Sequence, residues 1–156
     1  MRYISPTRGP MDFQTMFLDI MEYVQDAPAA RHRLIIGTDS QLGADTCFVT
    51  AVVVHRIGKG GRYYYARTWE KTNRSLRQRI FYETSRSLEV ASHIAAQLAE
   101  NGFADLNVEI HCDIGTHGET KDLIREVVGM VVGSGFDARI KPDSYGASTV
   151  ADKYTK

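Results

Sequence analysis

Two aspartates stand at the ends of apolar runs. Asp39 follows Leu34-Ile35-Ile36-Gly37-Thr38, and Asp113 closes the alternating stretch 106–113. If both runs are strands and parallel neighbours in an open α/β sheet, both carboxylates reach one crevice, because such sheets bind ligands outside the carboxyl ends of their strands. A third acid lies on the helical stretch 75–100. At about 100° per residue, Ile80, Glu83, Ser87, Ala91, Ile94 and Leu98 fall within roughly 80° of one another, so Glu83 sits on the apolar stripe. Glu89 falls on the far, solvated side. A carboxylate on a core-facing stripe is costly to bury without a partner or a cation. Three converging acids repel one another, and a divalent ion such as Mg²⁺ relieves this, since it takes hard oxygen ligands and leaves positions for substrate phosphates. The plainer reading of Glu83 alone is an ion pair with a neighbouring arginine at the stripe's edge.

The chain as a whole is neutral, with 19 Lys and Arg against 19 Asp and Glu, so bulk charge attracts neither nucleic acid nor membrane. The charge is nevertheless segregated. Residues 55–79 carry eight basic residues, among them Arg62, Arg67, Lys71, Arg74 and Arg77, against the single acid Glu70. A basic surface of this kind fits a polyanion, and the acids left elsewhere fit a metal site. Tyr63, Tyr64, Tyr65 and Trp69 are interleaved with these cations and could stack bases or sugars. The competing readings are a solvated basic face and tyrosines that alternate into the core.

The elements that must position these groups are legible in the spacing. Residues 12–25 place Phe13, Met16, Phe17, Ile20, Met21 and Val24 at helical intervals, after a loop containing Pro6, Gly9 and Pro10. Runs at 34–39, 46–56 and 62–69, joined by short Gly-containing turns, form an antiparallel meander. A long helix to Glu100, stopped by Asn101-Gly102, leads to the strand 106–113. A helix over 120–132, a strand over 136–141 and a short terminal helix over 147–156 complete the order. Strand–helix–strand units late in the chain imply parallel pairing through right-handed crossovers. The fold class is therefore α/β: a mixed five-stranded sheet, three antiparallel strands and then parallel ones, flanked by helices.

Length and composition bound the rest. At 156 residues, with 43% hydrophobic and 24% charged, residues 1–156 are expected to form one domain with one core, which nearly rules out a two-domain enzyme. Cys47 and Cys112 lack metal spacing and each lies in an apolar strand-like stretch, the pattern of reduced, buried thiols. No apolar run approaches the roughly 18 residues of a membrane span, and the first residues lack the apolar core of a signal peptide. Cytoplasmic location is the expectation.

Ile36-Gly37-Thr38-Asp39-Ser40-Gln41, the Glu83 helix, His111-Cys112-Asp113-Ile114-Gly115 and the ending from Lys141-Pro142 through Ala151-Asp152-Lys153 resemble the YkuK-type RNase-H-like family, from about residue 34 onward. The wider ribonuclease H-like superfamily has this element order, with acids on the first strand, the first core helix, the fourth strand and the last helix. The resemblance implies Asp39, Glu83, Asp113 and Asp152 as catalytic and metal-ligating residues for Mg²⁺ or Mn²⁺, with Asp143 as a substitute for Asp152. It also implies two-metal nuclease chemistry, in which one ion lowers the pKa of an attacking water and the other stabilises the leaving oxygen. The partner would be DNA or RNA, with Arg62, Arg67, Trp69, Lys71, Arg74 and Arg77 bordering its groove. No separate basic handle is present, so specificity for RNA–DNA hybrids is not implied.

Two other functions fit parts of the sequence. One is a nucleic-acid-binding module with little catalysis. The other is nucleotide phosphotransfer: Asp113-Ile114-Gly115-Thr116-His117-Gly118-Glu119-Thr120 leads into a helix, resembles the Asp-x-Gly-Thr phosphate loop of sugar kinases and actin-like ATPases, and could cradle phosphate at a helix N-terminus. Thr116 or Thr120 as a simple helix N-cap explains the same threonines. His111 and His117 lack zinc-site spacing and read as a proton shuttle or as polar surface.

Overall fold

The computed structural model describes residues 1–71 and 75–144. Its first elements are strands where proline and glycine predict a loop. β1 (Tyr3–Ser5) and β2 (Gly9–Met11) form a hairpin, with Gly9 at φ +78°, a left-handed conformation that glycine adopts without a Cβ clash. Three residues are too few to display the alternation that marks a strand in sequence. Among the described residues the sheet therefore has seven strands, not the five expected.

The helix α1 (Phe13–Gln25) follows, its first turn capped by the Asp12 carboxylate, which accepts from the Thr15 N–H at 2.8 Å. The meander then forms as the apolar runs predict: β3 (His32–Gln41), β4 (Thr46–Arg56) and β5 (Gly60–Glu70), antiparallel and continuously paired. The helix α2 (Leu76–Glu100) opens on a capping box in which Ser75 and Gln78 satisfy each other's backbone N–H groups. β6 (Asn107–Gly115) pairs parallel to β3. The predicted helix over 120–132 divides into a 3₁₀ turn, Lys121–Leu123, and α3 (Ile124–Gly133). β7 (Asp137–Lys141) then pairs parallel to β6. The spatial order is β2-β1-β5-β4-β3-β6-β7. The terminal helix expected over 147–156 lies outside the described residues, and with it Asp152; so does Arg74.

All three described helices share one face of the sheet. Phe17 and Ile20 of α1, Ile94 and Leu98 of α2, and Val127 and Val131 of α3 meet the even-numbered residues Leu34, Ile36, Val52, Tyr64 and Ile110 in one core. The odd-numbered face carries a smaller cluster of Ile35, Val49, Ala51 and Tyr65. Of the three consecutive tyrosines, Tyr64 and Tyr65 are buried and Tyr63 is partly buried. Both cysteines are free thiols, Cys112 buried and Cys47 partly so. No helix among the described residues is long and apolar enough to cross a membrane.

Candidate active site at the strand ends

The parallel register of β3 and β6 runs from Arg33 opposite Asn107 to Ile36 opposite Ile110. Beyond that pairing β3 continues through Asp39 and β6 through Asp113, and the charges of both carboxylates act on Glu83. Both residues lie near the carboxyl ends of their strands, and Asp113 lines a small cavity with Thr38, Glu83 and Ser87.

Glu83 is delivered from α2 by a match of spacings. Four residues of α2 rise about 6 Å, and two residues of β3 advance about 6.6 Å. Ser87 and Glu83 therefore meet Thr38 and Ser40 in step. The Thr38 and Ser87 hydroxyls lie 2.8 Å apart, and Ser40 donates from its hydroxyl to the Glu83 carboxylate. Arg79 donates from Nη1 to Ser40 Oγ at 3.3 Å. Glu89 is exposed, as its wheel position predicts.

The electrostatics of this cluster are unusual for a carboxylate. Burial raises the Glu83 pKa; the Ser40 hydrogen bond opposes this, the negative charges of Asp39 and Asp113 raise it further, and Arg79 lowers it, leaving the group at about 8. Cys112, buried nearby and facing Glu83, has its thiol pushed up to about 12. Lys141, at the end of β7, places Nζ 2.7 Å from Asp113 Oδ1. Its pKa is raised by that contact, against some desolvation, and by the charges of Asp113, Asp39 and Glu83. One ammonium, one guanidinium and three carboxylates thus act on one another at this edge.

Among the described residues, no group of three or more His, Cys, Asp and Glu is gathered as a ready metal-ligand set. The contacts give the reason: Asp113 is held by Lys141 and Glu83 by Ser40. Asp143 lies elsewhere, on the lining of a cleft with Arg33, His55, His111 and Arg139. Sequence reading named Asp39, Glu83 and Asp113 but assigned no role to Ser40, Arg79 or Lys141. The available signal for Lys141 was topological: a lysine ending the strand beside β6 must emerge at the same edge as Asp113.

The basic residues divide into two groups. Arg67 pairs across β4 with Val49, which pairs with Asp39, so Arg67, exposed Trp69 and exposed Lys71 occupy the carboxylate end of the sheet. Arg62 lies at the other end, opposite Val54 and Leu34, roughly 16 Å from the level of Asp39. There it bonds Asp19 at 3.3 Å and lies over the Tyr23 ring. Arg77 is exposed on α2 and pairs with Glu126 at 2.8 Å. In the loop after Asp113, the Gly115 N–H donates to Thr120 Oγ1 at 3.3 Å, so this threonine closes the loop instead of capping a helix.

Comparison with known proteins agrees with this architecture. The chain is 42% identical over 159 residues to the uncharacterized protein YkuK of Bacillus subtilis (strain 168), covering 92% of each chain. No solved structure matches it. A family model described as Ribonuclease H-like matches residues 15–156, from within α1 through every later element. The chain belongs to the ribonuclease H-like family, in its YkuK-type branch.

Proposed function

We propose that this protein is a metal-dependent nuclease that hydrolyses phosphodiester bonds of DNA or RNA. The observation that carries the reading is Glu83 of α2, whose carboxyl is driven up to about 8 by burial and by the charges of Asp39 and Asp113 near the carboxyl ends of β3 and β6. A strongly perturbed group at such a crevice marks a functional site more often than a structural one. The donor set is all oxygen, which suits Mg²⁺ or Mn²⁺. Asp39, Glu83 and Asp113 would hold the metal, joined by Asp152. When bound, the metal supplies an activated water and neutralises charge at the leaving oxygen.

The chain's own groups prepare that chemistry. Ser40, braced by Arg79, fixes one oxygen of Glu83. Lys141 balances the charge of Asp113, which keeps the like charges from splaying the strand ends. Arg67 and Lys71 would hold phosphates of the approaching strand, and Trp69 offers a face for a base. The free thiols accord with a reducing compartment such as the cytoplasm.

The test is digestion of labelled single-stranded and double-stranded DNA, RNA and hybrids with Mg²⁺ or Mn²⁺. Wild type should cut at least one substrate, and Asp39→Asn should cut none while melting at the same temperature without metal. Metal alone should stabilise wild type, by about 2.7 kcal/mol at a hundredfold excess over its Kd, and not Asp39→Asn. Binding without cutting would favour a binding module, and wild-type cleavage by Asp39→Asn would remove the carboxylates from the chemistry.

A further inference from the structure

Lys141 reaches Asp113 by a route that the sheet itself builds. β6 advances four residues from His111 to Gly115 while β7 advances two from Arg139 to Lys141, an irregularity that ends with Gly115 opposite Lys141. Irregularities of this kind re-aim side chains beside functional sites. A Cβ on Gly115 would meet Lys141 Cβ at 3.1 Å and Cδ at 3.7 Å, so the bare glycine opens the lane in which the lysine stem lies against β6. The stem ends with Nζ 2.7 Å from Asp113 Oδ1.

Arg79 and Lys141 both act on the acidic cluster, but they are held differently. Arg79 is tied in: Nη1 donates to Ser40 and Nε is buried. Lys141 is free to leave. Its side chain is 59% exposed and that of Asp113 33%, so the ammonium can turn into water at little cost. Losing an exposed ion pair changes an equilibrium by about fivefold or less. A carboxylate oxygen that already accepts from an ammonium also attracts a second cation less strongly.

We propose that Lys141 is a built-in counter-cation that sets how tightly the carboxylates take a divalent ion: it occupies Asp113 when no metal is present and yields that oxygen when one binds. The inference rests on the nuclease reading, which supplies the metal. With the ammonium in place, Asp39, Glu83 and Asp113 stay together in the metal-free protein. The same charge raises the free-ion concentration at which the site fills. Lys141 is thus a positioning residue whose removal strengthens metal binding, the opposite of what removal of a ligand does.

The experiment is a titration of the full chain, stripped with EDTA and then dialysed free of it, with Mn²⁺ alone. Calorimetry and the electron paramagnetic resonance signal of free Mn²⁺ follow it for wild type, Lys141→Met and Lys141→Arg. Methionine keeps much of the stem and drops the charge, whereas arginine keeps the charge. Lys141→Met should bind Mn²⁺ about fivefold more tightly, the weight of one exposed ion pair, and Lys141→Arg should bind as wild type does. In EDTA, Lys141→Met should melt about 2 to 4 °C below wild type, and saturating Mn²⁺ should close that gap. A gap that persists at saturating Mn²⁺, or a Lys141→Met affinity no tighter than that of wild type, would overturn the proposal and leave the nuclease reading standing. Absence of Mn²⁺ binding in wild type and both variants would remove that reading, and the role of Lys141 with it.

Discussion

Glu83 and Glu109 are the same residue type, both drawn out of water beside the same central strands, yet they behave in opposite ways. Burial raises the pKa of each. At Glu109 the His111 hydrogen bond and the charges of Arg33 and Arg139 outweigh burial, and the group stays below the usual carboxylate range. At Glu83 the nearest charges include Asp39 and Asp113, and the group rises to about 8. One end of the sheet is electrostatically satisfied and the other is held in tension. Satisfied networks stabilise folds, whereas unresolved like-charge contacts persist where a site needs an incoming cation.

This contrast can be broken most severely at Glu109. Glu109→Ala should cost about 3 kcal/mol, the low end for breaking a buried ion pair, because the partly exposed Arg33 and Arg139 can turn to water while buried His111 cannot. Chemical denaturation at pH 7 measures it. Glu83→Gln should stabilise the protein at the same pH, and a loss as large as that of Glu109→Ala would erase the distinction.

A pH series sharpens the difference. In the native state Glu83 keeps its proton to about pH 8, whereas unfolded it releases it near the ordinary value of 4.5. Between those limits the native state binds more protons, so without metal this group makes stability fall as pH rises, by at least about 1 kcal/mol. Glu83→Gln should flatten that decline and match wild type below pH 4.5. Melting curves in EDTA decide it, and an unchanged slope would mean that Glu83 is not the group being strained.

The smallest effect concerns the two basic groups. Lys71→Ala should reduce the slope of log affinity for nucleic acid against log salt by about 0.7 to 0.9, the value of one lost phosphate contact. Arg62→Ala should leave the slope unchanged and lower the melting temperature instead, since Arg62 holds buried Asp19. Equal slopes for the two variants would place the nucleic acid elsewhere.

What sequence reveals here follows from the range of each signal. Helical phase separated Glu83 from Glu89, and apolar runs ending in Asp39 and Asp113 located the strand ends, because both patterns are local. The parallel pairing that joins them followed from the crossover rule. The partners of the arginines were invisible: Arg62 meets Asp19 and Arg77 meets Glu126 across 43 and 49 residues, and no local pattern records such pairs. The Glu109–His111 pair, two residues apart on one strand face, was open to reading. Alternation put both on one side, but nothing in the sequence showed that this side is buried. The amino-terminal hairpin escaped because three-residue strands carry no period.

That hairpin also decides how the sheet ends. Without it, the eleven-residue β5 would present a long row of unpaired N–H and C=O groups, a template for another chain. With it, β1 pairs with β5 at Ile4 and Tyr65, and among the described residues the outermost strand is β2, three residues long with Pro10 at its centre, where one donor is absent. The opposite margin is the five-residue β7, whose Asp137, Arg139 and Lys141 set a charge at every second position. Short strands, a proline and closely spaced charges are features that blunt the margins of a sheet against edge-to-edge pairing.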